Sequence, residues 1–217
     1  MNNNKQQTGK MRRANIGDVN ALLDICRANF KDSLTWQSPL SLGMKWWISA
    51  IGSTACETWV CVNEGRIAGF CVLITDENTW AKERPTRNGS FFRKLLLSAT
   101  HPKTIFAYIR KKIVRTIIRT GKNQSKDVID LYDGDRVWIE LTAVAPKQLR
   151  QGIATQMFSF CEKRTLELHR QMLTLVVMSD NNTARCFYER CGFTFIGQRP
   201  AGCVYVKSVN GTDRQKG

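Results

Sequence analysis

Histidine is scarce in this 217-residue chain, with two copies, His101 and His169, and no two of its eight cysteines form a C-x-x-C pair. Without those spacings the sequence offers no zinc-ligand set, and no metal is expected. Cys26, Cys56, Cys61, Cys71, Cys161, Cys186, Cys191 and Cys203 fall mostly inside apolar-patterned segments. They read as reduced thiols acting as small core hydrophobes. No apolar run reaches the roughly 18 residues that a membrane-spanning helix needs. The opening segment, Met1 to Lys10, is polar and has no apolar core of the signal-peptide kind, so a tail and a cytoplasmic protein are expected. Internal repeats and low-complexity tracts are also missing.

Acidic residues are missing from one long stretch. Between Arg84 and Lys126 stand twelve Lys and Arg and no Asp or Glu, in a chain whose net charge is +15. That leaves about +3 for the rest, so the basic character belongs to one segment. Such a segment should repel polyamines, aminoglycosides and lysine-rich tails, and attract phosphates, nucleotide-linked amino sugars, anionic lipid headgroups or nucleic acid. Within it Ile105, Phe106, Ile109, Ile113 and Ile117 share one helical face, and Lys111, Lys112, Arg115 and Arg119 gather on the other, with Arg110 inside the apolar arc. A basic amphipathic helix of this kind either lies on an anionic membrane surface or packs its apolar side on the domain. Phe91, Phe92, Phe106 and Tyr108 accompany the charge, but no nucleic-acid-binding motif does, so nucleic acid is not the expected partner.

The length suits one domain, able to bury roughly 70% of its unfolded surface. The apolar pattern predicts tails at 1–10 and 209–217, a domain over 11–208, and a basic, largely helical insertion over 80–135. A short strand begins at Met11, and Val19, Leu22, Leu23, Cys26 and Phe30 have helical spacing. Trp36 to Ile51 reads as one further helix. Thr58–Val62 and Ile67–Thr75 flank Asn63-Glu-Gly-Arg66 as a hairpin. Helices are expected from Gly89 or Ser90 through Leu97 and from Pro102 onward. Then come a strand over Val137–Val144, a helix from Ile153 to about His169, a strand over Leu173–Met178, a short helix over Ala184–Arg190 ended by Gly192, and strands over Phe193–Ile196 and Cys203–Val206. The order is α/β with a mixed sheet.

Two clusters carry chemistry. Thr142-Ala-Val-Ala-Pro146 followed by Leu149-Arg-Gln-Gly-Ile-Ala154 reads as a buried strand running into a glycine turn that opens a helix. A phosphate reaches the amides of a helix start only where side chains leave room, which Gly152 and Ala154 would do, with Arg150 adding charge. The other reading of Gly152 is a tight strand-to-helix turn. The second cluster is Asn181-Asn-Thr-Ala184, Phe187-Tyr188 and Gly192-Phe193. Asn181 suits a helix cap. Tyr188 is either a core aromatic or a phenol that donates a proton or hydrogen bond to a leaving group.

In spacing and order these residues resemble the GNAT superfamily of acetyl-CoA-dependent N-acetyltransferases. The resemblance follows element order over 11–75 and 137–206 and is motif-specific from about 138 to 193. It implies the GNAT-like mixed central sheet flanked by helices, with the basic helical insertion between strands 3 and 4. It implies acetyl-CoA as co-substrate and a primary amine, of a small molecule, as acceptor. Thr142, Ala143 and Val144 would offer backbone groups to the pantetheine arm, and Arg150, Gln151, Gly152, Ile153, Ala154 and Thr155 would cradle the pyrophosphate. Asn181 would contact the cofactor and Tyr188 would protonate the departing sulfur. Position 149 is Leu where the family usually has Gln or Arg. Glu140 is the candidate general base, acting through a water; its other reading is a strand-end charge facing solvent. Ribosomal-protein acetyltransferases of the superfamily carry a glutamate where this chain has Val176, which argues against a peptide-terminus acceptor. The charge favours an anionic amine such as a nucleotide-linked amino sugar. The alternatives are a membrane-surface enzyme acting on a lipid-linked or envelope acceptor, and a non-catalytic acyl-CoA-binding adaptor. The sequence says nothing of oligomeric state.

Overall fold

The computed structural model describes residues 9–37, 42–85, 135–199 and 202–209. Among these residues seven strands form one sheet: β1 Lys10–Arg13, β2 Cys56–Asn63, β3 Arg66–Ile74, β4 Arg136–Val144, β5 Met172–Val177, β6 Thr194–Arg199 and β7 Gly202–Ser208. Their spatial order is β1-β2-β3-β4-β5-β7-β6. Only β4 and β5 run parallel; every other neighbouring pair is antiparallel. The helices are α1 Val19–Asn29, α2 Leu34–Gln37, α3 Leu42–Gly52, α4 Glu77–Glu83, α5 Ile153–Glu167 and α6 Asn182–Arg190. Parallel neighbours need a crossover, and α5 supplies it between β4 and β5.

The sheet separates two cores. On one face Ile153, Met157, Phe158 and Cys161 of α5 pack with Val137, Ile139, Leu173, Leu175 and Tyr205, and Phe187 and Tyr188 of α6 lie against them. On the other, Val19, Leu22, Leu23 and Cys26 of α1 meet Trp36, Trp46, Trp47 and Trp80 above Val60, Phe70 and Val72. Three ring pairs here meet edge to face: Trp46–Trp47 at 5.0 Å, Trp46–Trp80 at 5.9 Å and Trp47–Phe70 at 4.9 Å between ring centroids. That geometry sets the positive ring edge of one against the negative face of the next.

Most of the expected elements are present, with boundaries shifted by up to three residues. The β2–β3 hairpin turns on Glu64 at φ 50° and Gly65 at φ 73°, the two positive dihedrals that a two-residue turn between twisted strands demands. Two expectations change. The single helix predicted over Trp36–Ile51 is two, α2 and α3, and α4 is a helix that the apolar pattern did not announce. Asp76 starts α4, its side chain accepting the Thr79 N–H at 3.0 Å and the Thr79 hydroxyl at 2.6 Å. The helices expected from Gly89 or Ser90 and from Pro102, and with them most of the basic insertion, lie outside the described residues.

Candidate active site

Strand β4 organises the site. Its parallel ladder with β5 runs from Arg136↔Met172 to Ile139↔Leu175 and stops there, although β5 continues to Val177. From Glu140 onward β4 keeps only its β3 partner, so the sheet opens on the β5 side. The Ala145 amide donates to Ala68 O at 2.8 Å, which makes Gly69↔Val144 a pair whose own backbone groups point away from each other. Val144 and, two residues earlier, Thr142 therefore turn their amides and carbonyls toward the opening. Ala143 does not: the same register commits its amide and carbonyl to Phe70 of β3. Of the three residues named in the sequence, Thr142 and Val144 thus point their backbone groups away from β3, and the Val144 carbonyl accepts from Asn29 Nδ2 at 3.0 Å.

Beyond β4 the chain makes a 3-10 turn over Pro146–Gln148 and then enters α5. Gln148 is tied back to the hairpin, its Oε1 accepting from Asn63 Nδ2 at 2.9 Å. Arg150 stands at φ 62° and Gly152 at φ 77°. Both reverse the chain so that α5 begins with its amides exposed. The Gln156 N–H bonds back to Gly152 O at 2.9 Å, so the amides ahead of it have no acceptor within the helix. Arg150, Gln151, Gly152 and Thr155 are exposed, Ala154 is half-buried, and Ile153 is buried and anchors the turn. Sequence reading missed Gly69. A side chain there would stand 2.8 Å from Met157 Sδ and 2.9 Å from Ala143 O, so its absence lets the first turns of α5 rest on β3. A glycine within the apolar run Ile67–Ile74 was the available signal.

Helix α6 brings Tyr188 to the same face. Its ring lies 5.4 Å from Phe158, 6.0 Å from Phe193 and 6.3 Å from Tyr205. Its hydroxyl has no hydrogen bond among the described residues. Burial, with Cys191 nearby, pushes the phenol up to about 12, so it stays protonated throughout the neutral range. Asn181 caps α6, its Oδ1 accepting from Ala184 N–H at 3.1 Å.

Glu140 is not a strand-end charge. The β3–β4 register passes from Val72↔Leu141 directly to Leu73↔Ile139, so Glu140 is the extra residue of a β-bulge, at mid-strand. The bulge turns both Glu140 and Leu141 to the tryptophan face, where Trp80, Trp138 and Arg84 lie close to the carboxyl. Burial raises Glu140 above the ordinary carboxylate range; Arg84 and the indole N–H groups of Trp80 and Trp138 oppose that rise in part. The Trp80 N–H is buried and closes no hydrogen bond. Glu140 and Tyr188 thus face opposite sides of the sheet, and the opening past Ile139 lies between them.

Comparison with known proteins fits this geometry. The family model "Acetyltransferase (GNAT) family" matches residues 75–193. No curated protein matches the chain. Among solved structures, the ribosomal-protein-S18-alanine N-acetyltransferase from Escherichia coli aligns with TM-score 0.54 at 11% identity, over 96% of this chain and 99% of that one. The PaiA N-acetyltransferase from Thermoplasma acidophilum, in complex with coenzyme A, gives 0.54 at 11% over 92% and 98%. The spermidine N-acetyltransferase from Vibrio cholerae, in complex with CoA and spermine, gives 0.54 at 13% over 92% and 94%. With more than half of its length matched by the family model, the chain belongs to the GNAT family of acetyl-CoA-dependent N-acetyltransferases.

Proposed function

We propose that this enzyme acetylates the primary amine of a small molecule that also carries an anionic group, a nucleotide-linked amino sugar being the type. The observation that carries the acceptor class is the run of twelve positive and no negative residues from Arg84 to Lys126. It begins one residue after α4, whose Trp80 and following Arg84 border Glu140. A cationic acceptor such as the spermine bound to the Vibrio cholerae relative would meet like charge on that approach, and a phosphate-bearing amine would be drawn in. Val176, without a carboxylate, offers nothing to orient the terminal ammonium of a peptide.

In this reading the exposed amides opening α5 at Gly152–Thr155, with Arg150, hold the pyrophosphate of acetyl-CoA. The Thr142 and Val144 backbone groups hold its pantetheine arm in the opening, and Asn181 borders the cofactor. The thioester then has two accessible sides. From the tryptophan side Glu140, through a water, takes the proton that the amine must lose as its nitrogen bonds to the acetyl carbon. From the other side Tyr188 donates to the sulfur as the carbon–sulfur bond breaks. A phenol held near 12 does not give its proton to the thiolate outright; hydrogen-bond donation is the larger part of its role.

A second reading follows from the helical spacing of Ile105, Phe106, Ile109, Ile113 and Ile117 in the basic run of the sequence: a membrane-surface enzyme acting on a lipid-linked or envelope-associated amine. Among the described residues no helix is long and apolar enough to cross a membrane. A free-thiol assay over anionic, neutral and cationic amines tests the first reading, which predicts the highest kcat/KM for the anionic set. Preference for polyamines would refute it. Flotation with anionic liposomes tests the second.

A further inference from the structure

Strand β3 ends beside the start of β4, with Ile74 opposite Trp138, and α4 turns back along β4 in the same direction. Its first residue, Glu77, accepts from Arg136 Nε at 2.6 Å, and the Arg136 guanidinium lies over the Trp138 ring, 5.9 Å from its centroid. Trp80 and Arg84 follow Glu77 by three and seven residues, which puts all three on one helical face. From Glu77 to Arg84 a helix rises about 10 Å, and from Arg136 to Glu140 a strand advances about 13 Å, less what the bulge takes up. The face of α4 that meets Arg136 with a carboxylate therefore meets Glu140 with a guanidinium.

This end of α4 is unlike the other. Arg84 is exposed, and its guanidinium closes no ion pair among the described residues, although it is near enough to favour the charged form of Glu140. The adjacent Glu83 is engaged elsewhere, accepting from the Ser53 hydroxyl. Between Glu77 and Arg84 stands Trp80, 3% exposed, whose N–H has no acceptor. A buried donor left unpaired costs about 1–3 kcal/mol, so a ligand oxygen at this place would satisfy it while meeting the planar guanidinium, which matches phosphate geometry. We propose that Arg84 and the Trp80 N–H bind a phosphate of the acceptor while its amine faces Glu140. The two charges of the site adjoin, so the acceptors it selects carry their phosphate only a few bonds from the nitrogen. The proposal rests on the reading of this enzyme as one for anionic amines with Glu140 as base, and it adds a distance to that reading.

Three probe amines test it: ethanolamine, phosphoethanolamine and aminohexyl phosphate, their Kd read by ligand-detected NMR on the CoA-bound protein. Phosphoethanolamine should bind the parent about tenfold tighter than either of the others, the scale of one charge-assisted hydrogen bond. Arg84→Gln should remove most of that margin. Arg84→Lys keeps the charge but not the planar fork and should retain part of it. Lys82→Gln deletes an equal charge from another side of α4 and should retain all of it. Equal binding of the two phosphates, both tighter than ethanolamine, leaves an enzyme for anionic amines but overturns the short distance. No gain from either phosphate removes the anionic acceptor, and this proposal with it. A margin that survives Arg84→Gln, or that falls as far with Lys82→Gln, overturns the role of Arg84.

Discussion

At the scale of single residues, the site depends on where a side chain is absent as much as on where one is present. Gly152 at φ 77° stands where β-branched residues are strained. Gly152→Val should cost about 1–3 kcal/mol of stability from the backbone alone. It should also abolish CoA binding, read by calorimetry, because its methyls would stand in front of the α5 amides; retained affinity in a folded variant would remove the phosphate from that turn. Tyr188 makes the opposite case, a polar atom on a mostly apolar aromatic cluster. Tyr188→Phe keeps the ring contacts with Phe158 and Phe193 and deletes only the hydroxyl. Turnover should fall about ten- to a hundredfold with CoA affinity nearly unchanged. A variant as fast as the parent would leave Tyr188 as a packing residue.

At the scale of elements, what could be read in advance was what repeats. The period-3.6 apolar spacing of α1 and α5 and the turn residues Glu64-Gly65 state their structures locally, so their existence was legible to within a residue or two. The bulge at Glu140 was not, because a two-against-one pairing is decided by the β3 partner and leaves no mark on the strand that carries it. Nor was α4, seven residues long, too short for a period to show, held by a cap at Asp76 and by Arg136 Nε donating to Glu77 Oε1 at 2.6 Å. Equally silent was Asn29 at the end of α1, whose side-chain amide donates to Val144 O on β4 at 3.0 Å: a helix-end asparagine gives no hint of such a partner. Yet the bulge and α4 together set the surroundings of the proposed base. Burial raises the Glu140 carboxyl, and activity requires its ionised form, so kcat/KM should fall on the acid side at a higher pH than for a surface glutamate, whose pKa is about 4.3. Glu140→Gln should remove that limb along with most of the rate. Trp80→Phe deletes an N–H that favours the charged form and should move the limb to higher pH. An acid limb unmoved by either substitution would point to a base elsewhere.

At the scale of the whole molecule, the decisive property is an uneven charge. A net +15 spread evenly would serve solubility and general attraction to polyanions; here twelve Lys and Arg fall in one run of sequence between β3 and β4. Both substrates of the proposed reaction are then anionic and drawn to one protein, which raises the question of whether the segment serves the acceptor or the cofactor. Salt alone does not separate them, since a Debye length of about 10 Å at 0.1 M weakens both attractions. Neutralising Lys111, Lys112, Arg115 and Arg119 to glutamine does. If the segment serves the acceptor, KM for an anionic amine should rise about tenfold while KM for acetyl-CoA and kcat/KM for a neutral amine of the same shape stay within about twofold. A rise confined to acetyl-CoA would assign the charges to the cofactor. No change in either, with liposome binding lost, would assign them to a membrane surface and make the second reading the better one.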